Sequence, residues 1–402
     1  MNDALIISLL LLVFSLFTIK VKNIKYSFLS PPVLVNVFIL LYVILGFNAY
    51  WMGDYYFLDI DFTGSFEKIF TVVSVFSAVF TLSFILFYYI RFASNKAVYD
   101  VEYALKEKYV LLYFILLMSY SLLNLYGVRL SGLHNFILLF FNSLLVVIGY
   151  SFVAKMKFSK ILLLMLVVLI IYMGFRYRLI FLLLPILFST FILKEMTIAR
   201  LLMYVICIFL AVSLVAIVGV ARKYSSGLQF DKLEGYDIFE VIIKGIFNDT
   251  STVFVSGAFI EWLDGSRKFA YFDQIIYMFN YFIPSQLYAD KVYSPIFLHL
   301  SNVTNQPNNE SGAAVLGFAE YYHTAGYVGV VMFALIFSFV YAKLFRQIMK
   351  VTSLYYHYAY FVLAAWLINS FTRGYLPQNI QDLISILLGL YVIKLLSKKV
   401  YL

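Results

Sequence analysis

Two arginines separated by a single residue interrupt a long apolar part of the chain. Arg176 and Arg178 follow Gly174, between apolar runs at residues 161–173 and 179–193. The planar guanidinium group donates paired hydrogen bonds to phosphate oxygens. Residues two apart do not share a helix face, and Gly174 allows the helix to break. The pair predicts a diphosphate site at a membrane edge, or two side chains that only reach lipid phosphates at the boundary.

A carboxylate and an imidazole lie three residues apart before a later apolar run. If the chain is helical from Ala313, helical spacing places Leu316, Glu320 and His323 on one face. Such a pair, near the point where the chain enters the membrane, could activate a hydroxyl group as a general base. The structural alternative is that Glu320 caps a helix end and His323 lies at the interface.

Two further arginines stand at the ends of predicted loops. Arg222 follows the apolar run at residues 201–220, and Arg373 precedes Gly374 in the short turn between the last two apolar runs. Each either adds positive charge to a binding site or only anchors its loop. The sequence shows no glycine-rich phosphate loop, no histidine pair at helical spacing and no carboxylate-rich cluster, so no metal or cofactor is predicted.

The elements that must position these residues are membrane-spanning helices. Hydrophobic residues make up 63% of the 402 and charged residues only 13%, which excludes a soluble core. The apolar runs predict an all-α polytopic membrane protein with about 11 transmembrane helices. The net charge of +9 does not indicate a nucleic-acid partner, because the basic residues lie mostly in short loops between apolar runs.

The alternation of basic and acidic loops divides the chain into three parts. Residues 1–220 are expected to form a bundle of about eight spans, and residues 327–402 about three more. Residues 221–326 are expected to form one large outer loop, whose segments 236–247 and 272–282 would lie along the membrane surface as helices or pack over the helix bundle. The runs around the arginine pair are assigned to two short spans, because one continuous helix of ~50 Å would exceed the bilayer core.

Three short stretches carry a resemblance to a known family. Gly174-Phe175-Arg176 is similar to the Gly-x-Arg element of the Wzy-type oligosaccharide repeat-unit polymerases, the bacterial O-antigen and capsule polymerases. Residues 311–329 resemble the small-residue, Gly-Glu-x-Tyr and Gly-x-x-Gly passage of that family, with Ala319 in place of the usual glycine. Arg373-Gly374 is similar to an arginine-glycine pair that recurs late in these proteins.

The resemblance implies a GT-C-like, multi-pass glycosyltransferase of the bacterial inner membrane. It would join undecaprenyl-diphosphate-linked repeat units at the periplasmic face into O-antigen or capsular polysaccharide, without metal or cofactor. On this basis the cations expected at the pyrophosphate are Arg176, Arg178, Arg222 and Arg373. Glu320 is the first choice for the base and His323 the second. Expected partners are the lipid-linked oligosaccharide, the bilayer, and a chain-length regulator and flippase of the same pathway.

Two other functions fit the same architecture. An O-antigen ligase would transfer a finished glycan to the lipid A core, and the sequence separates it poorly from a polymerase. A lipid-linked oligosaccharide flippase or secondary transporter would also be polytopic. It is expected to show internal repeats and charged or broken helices near the middle of the membrane, and no repeat is visible.

Overall fold

A computed structural model gives the structure of the chain. It describes residues 2–19, 24–51, 56–57, 60–61, 66–90, 101–125, 134–172, 176–193, 197–221, 235, 237–250, 252–271, 273–281, 294–304 and 314–401. Arg222 lies outside these ranges, and of Arg176 only the backbone is described.

The described residues form helices and four short strands. The helices are α1 Asn2–Thr18, α2 Ile24–Phe28, α3 Pro31–Trp51, α4 Phe66–Tyr89, α5 Glu107–Leu125, α6 His134–Val153, α7 Ser159–Tyr172, α8 Arg176–Leu193, α9 Ile198–Ala221, α10 Ile238–Thr250, α11 Thr252–Ser266, α12 Asp273–Tyr281, α13 Pro295–Thr304, α14 Gly317–Ala325, α15 Tyr327–Ile348, α16 Leu354–Thr372 and α17 Leu376–Leu395. The strands are β1 Tyr56–Phe57, β2 Ile60–Asp61, β3 Val101–Leu105 and β4 Ser397–Tyr401.

Four of these helices are long and apolar enough to cross a membrane. They lie at Glu67–Tyr89 in α4, Ile198–Ala221 in α9, Tyr327–Ile348 in α15 and Leu376–Leu395 in α17. Five shorter apolar helical segments accompany them, in α1, α3, α6, α7 and α8. A helix of 22 residues is ~33 Å long, about the thickness of the hydrocarbon core. The chain is therefore a mostly helical membrane protein, as predicted, while the number of eleven spans stays a prediction.

The helices divide into two compact units. Unit 1 contains residues 1–95, 247–349 and 368–379, and unit 2 contains residues 96–246, 350–367 and 380–402. This division describes packing, whereas the predicted division at residues 220 and 326 concerns position relative to the membrane and stays a prediction.

The core of unit 1 is an aromatic and polar seam between α4 and its neighbours. Phe76, Phe80 and Phe84 follow one face of α4 at four-residue spacing, and their rings stack in sequence. Ser83 Oγ donates to Ser338 Oγ on α15 at 2.7 Å. Asn36 on α3 donates to Thr81 Oγ1 at 3.0 Å. Because lipid offers no hydrogen-bonding partners, such contacts between apolar helices help to fix their pairing.

Unit 2 is built around α6 and a small sheet. Helix α6 packs against α5, α7 and α8. Strands β3 and β4 pair antiparallel, with Tyr103 opposite Lys399. The hydroxyl group of Tyr150 on α6 donates to the carbonyl oxygen of Tyr103 at 2.9 Å and to Glu102 Oε1 at 3.0 Å. The buried end of α6 is thereby joined to the sheet.

The structure describes helices on both sides of the predicted break at the arginine pair and within the predicted long loop. Helix α7 ends at Tyr172 and α8 begins at Arg176, and the break predicted between them lies at residues 173–175, outside the described part of the chain. The two predicted surface segments are the helices α10 and α12, whose positions relative to the membrane stay predictions. Helix α14, however, begins at Gly317 rather than at Ala313, because its start is fixed by contacts with distant residues that are described below.

Candidate functional site

A buried carboxyl group in unit 1 is the centre of the candidate site. Glu320 lies in α14 and is 1% exposed. Its Oε1 accepts a hydrogen bond of 2.7 Å from Gln274 Nε2 on α12 and one of 2.6 Å from the backbone N–H of Leu376, at the start of α17. Gln274 is fully buried as well. Three separate parts of the chain therefore converge on one oxygen atom.

Backbone hydrogen bonds explain why Gln274 reaches Glu320. The N–H groups of Ala270 and Tyr271 donate to the carbonyl oxygens of His323 and Thr324, at 2.9 and 2.7 Å. These acceptors are in the last turn of α14, where carbonyl groups lack helical partners. Helix α12 begins two residues later, so its first turn lies beside α14.

Two glycines allow the turn before α17 to approach the first turn of α14. The N–H of Gly374 donates to the carbonyl oxygen of Val315 at 2.7 Å. A Cβ atom at Gly374 would lie 2.5 Å from the oxygen of Leu316 and 3.1 Å from Glu320 Cβ. A Cβ atom at Gly317 would collide with the backbone oxygen of Ser370. The backbones are in direct contact, and this brings the N–H of Leu376 within hydrogen-bonding distance of Glu320 Oε1.

Burial decides the charge of this carboxyl group. It raises the pKa of Glu320 from 4.5 to about 8, although the hydrogen bonds from Leu376 and Gln274 oppose the change. Roughly one tenth of the carboxyl groups are then ionised at pH 7. A carboxyl group with a pKa near the working pH can both take up and release a proton, as general acid–base chemistry requires.

Three polar atoms around Glu320 have no hydrogen-bonding partner in the part of the chain that the structure describes. They are Glu320 Oε2, Gln274 Oε1 and His323 Nδ1, and all three are buried. A buried polar atom that is left unsatisfied costs about 1–3 kcal/mol. Their concentration around one helix indicates a place for a polar ligand.

His323 has a different partner from Glu320. Its Nε2 lies 2.8 Å from Nδ1 of His299 on α13, and one of the two nitrogen atoms donates. The ring of His323 packs against Phe259, and that of His299 against Trp262. Burial, with His299 nearby, lowers the pKa of His323 to about 3, so its imidazole is neutral at pH 7. Among the described residues, no hydrogen bond joins the side chains of His323 and Glu320.

Aromatic side chains lie beside the turn that carries Arg373. The ring of Tyr375 stacks on Phe297 with 4.7 Å between centroids, and its hydroxyl group lies 3.3 Å from that of Tyr277. All three side chains are half-buried. They give this part of unit 1 both apolar faces and hydroxyl groups.

A charged cluster contacts α14 at Tyr322, two residues after Glu320. The hydroxyl group of Tyr322 donates to Asp264 Oδ1 at 2.5 Å, and Lys68 Nζ lies 2.6 Å from Asp264 Oδ2. Burial raises the pKa of Asp264, but the hydrogen bonds from Lys68 and Tyr322 outweigh it, so the pKa lies below its usual 3.8. The cluster joins α4 and α11 to α14.

The predicted cations have different surroundings. Arg373 is half-buried, and its carbonyl oxygen accepts hydrogen bonds from the N–H of Tyr375 at 3.1 Å and from Asn379 Nδ2 at 2.9 Å. Arg178 belongs to unit 2 and is only 4% exposed. Its guanidinium lies over the ring of Phe141, 5.1 Å from the centroid, and interacts electrostatically with Asp382. Arg178 is therefore not an exposed boundary residue.

The structure thus brings Glu320 together with the turn that contains Arg373, and it pairs His323 with His299. The roles predicted for Arg176 and Arg222 stay predictions, because their side chains lie outside the described part of the chain. Gln274 and His299 were missed in the sequence, because they lie 46 and 24 residues from the groups that they contact. Within the described ranges, no three His, Cys, Asp or Glu residues are grouped to hold a metal ion.

No family model matches the chain, and neither a curated protein nor a solved structure is significantly similar to it.

Proposed function

We propose that the chain is a GT-C-like membrane glycosyltransferase that polymerises lipid-diphosphate-linked oligosaccharide repeat units. The reaction would take place at the periplasmic face of the bacterial inner membrane. The observation that carries the proposal is the contact between two of the three stretches that resemble the repeat-unit polymerases. The Arg373-Gly374 turn packs on the first turn of α14, and the N–H of Leu376 donates to Glu320 Oε1 at 2.6 Å.

The proposed reaction exchanges one bond at the anomeric carbon for another. An acceptor hydroxyl oxygen attacks C1 of the donor sugar, and the bond from C1 to the diphosphate oxygen breaks. The diphosphate leaves with the electron pair, and the hydroxyl proton passes to ionised Glu320. The open Oε2 atom is the acceptor for this proton, because Oε1 is already held by two donors.

The departing diphosphate requires positive charge. Arg373 is three residues from Leu376, the residue whose N–H holds Glu320, and we assign it to the diphosphate. We keep Arg176, Arg178 and Arg222 as further candidates. The burial of Arg178 beside Asp382 favours a positioning role for it rather than direct contact.

The proposal is tested by deleting the gene and complementing the cells with variants, followed by glycan ladder gels. The wild-type gene should restore a ladder, and Glu320→Gln should leave only a single repeat unit at equal protein level in the membrane. Glu261→Gln, which makes the same change at an exposed position of α11, is the control and should restore the ladder. A normal ladder from Glu320→Gln would contradict the assignment of the base.

The deletion strain also separates the competing functions. Lipid-linked polymer without transfer to the core would indicate a ligase. Single-repeat lipid retained at the cytoplasmic face would indicate a flippase. One observation favours the latter as second candidate, since Arg178 and Asp382 are both buried in apolar helices of unit 2, as charged groups in transporters are.

A further inference from the structure

We propose that Gln274 and Glu320 together bind the acceptor hydroxyl group, with Gln274 Oε1 and Glu320 Oε2 as its two contacts. Gln274 then acts as a substrate-binding residue and not only as a support for the carboxyl group. This inference rests on the proposed function and adds to it the residue that holds the acceptor before transfer.

The two side chains leave matching atoms unused. Gln274 Nε2 is occupied by Glu320 Oε1 at 2.7 Å, and the same Oε1 is also occupied by the N–H of Leu376. This leaves Gln274 Oε1 and Glu320 Oε2, which are buried and have no partner among the described residues. Because the side chains are hydrogen-bonded to each other, the two open atoms belong to one small region.

The chemistry of the open atoms selects the ligand class. A neutral carboxyl group can donate from Oε2, whereas an amide oxygen can only accept. An alcohol both accepts and donates, so it can satisfy both atoms at once. An ammonium group has no acceptor, and a phosphate oxygen has no proton for Gln274 Oε1. A hydroxyl group, of a sugar or of water, therefore fits, and under the proposed function it is that of the acceptor sugar.

The same geometry separates the roles of the two residues. In the resting state the hydroxyl oxygen accepts from Glu320 Oε2–H, and the hydroxyl hydrogen donates to Gln274 Oε1. In the molecules whose Glu320 has lost its proton to bulk water before the acceptor binds, the hydroxyl hydrogen points to Oε2 and is transferred as the new glycosidic bond forms. Loss of Gln274 Oε1 should therefore weaken acceptor binding, whereas loss of the carboxyl group should abolish transfer.

Infrared difference spectroscopy tests binding without requiring transfer. The probe is the oligosaccharide repeat unit released from the polysaccharide of the source cell, added to the purified full-length protein in nanodiscs. The carboxyl C=O band of Glu320 is identified by its loss in Glu320→Gln. This band should shift to lower frequency when the probe is added, because a donated O–H weakens the C=O bond. Gln274→Met should require about 10-fold more probe for the same shift.

Kinetics with lipid-linked repeat units give the second measurement. Gln274→Met, which keeps the length of the side chain, should raise KM about 10-fold at a pH high enough to ionise Glu320. At lower pH kcat should fall as well, because loss of the Nε2 donor raises the pKa of Glu320. The control is Asn280→Met on the same helix, about 9 Å further along its axis, which should match the wild type. An unchanged probe dependence of the band shift and unchanged KM in Gln274→Met would overturn the role of Gln274.

The outcomes also distinguish this inference from the proposed function. If the wild-type protein makes polymer but its Glu320 band does not respond to the probe, the hydroxyl site is wrong and the polymerase function stands. If the band responds but neither cells nor nanodiscs make polymer, the hydroxyl site stands and the polymerase function is wrong.

Discussion

The backbone N–H of Leu376 donates a hydrogen bond of 2.6 Å to Glu320 Oε1, across 56 residues of sequence. The donor belongs to the first residue of α17, where N–H groups have no helical partner, so a buried acceptor satisfies both groups. The bond makes the position of the carboxyl group depend on the turn at residues 373–375. The following predictions test that dependence and the chemistry that it supports.

The rate of polymer synthesis should rise with pH up to about 8. Burial raises the pKa of Glu320 to about 8, and only its ionised form can accept the hydroxyl proton. Below this value the ionised fraction, and with it the rate, should increase about 10-fold per pH unit, and it should level off above. Proteoliposomes assayed between pH 6 and 9 would show this. A flat profile would mean that Glu320 does not act as the base.

Gly374→Ala should disrupt the site without removing any of its polar groups. The new Cβ atom would lie 2.5 Å from the carbonyl oxygen of Leu316, so the turn must move away from α14. We expect a loss of stability of about 1–3 kcal/mol and a loss of the ladder. Gly265→Ala is the matched control, because its Cβ atom would meet nothing within 4 Å. Equal thermal unfolding and equal ladders from the two variants would show that the close approach has no role.

Arg373→Ala and Arg176→Ala should each abolish polymer while the protein stays in the membrane. Arg373→Ala removes the charge that we assign to the departing diphosphate, and Arg176→Ala removes a further candidate for the same role. Such stabilisation is commonly worth about 100-fold or more in rate. Arg267→Asn serves as control, since it removes an exposed arginine and asparagine tolerates the positive φ of 57° there. Normal ladders from both test variants would exclude the assigned diphosphate site.

Asp264→Asn should reduce stability at neutral pH but not in acid. The folded protein holds the pKa of Asp264 below 3.8, so its stabilising effect is present above that value and is lost as the pH falls through the folded pKa. Lys68 is 48% exposed, so its ion pair contributes only about 1 kcal/mol or less. Thermal unfolding in detergent, followed from pH 7 downwards, should show the wild type and the variant converging. A constant difference would mean that packing is responsible.

The sequence predicted the helices better than the site. Long apolar runs identify α4, α9 and α15, because membrane thickness sets both their length and their composition. Gly174 and the two arginines marked the end of α7 and the beginning of α8. These signals are local, and each is visible within about 20 residues.

The contacts of Glu320 could not be predicted in this way. Its importance was proposed from its residue type and position, but its partners Gln274 and Leu376 are 46 and 56 residues away. Helix α14 begins at Gly317, four residues after the start considered from the sequence, and a Cβ atom at Gly317 would collide with the backbone oxygen of the distant Ser370. No periodicity within one segment contains such information.

The composition of unit 1 has a consequence for biosynthesis. The unit is assembled from residues 1–95, 247–349 and 368–379, with other chain segments synthesised in between. Helix α14 leaves the ribosome well before Leu376, so the newly made carboxyl group has at most one of its two donors until the last segment emerges. The site is therefore among the last parts of unit 1 to be completed. A nascent chain that stops before residue 376 carries every residue of α14 but lacks the donor that fixes its carboxyl group.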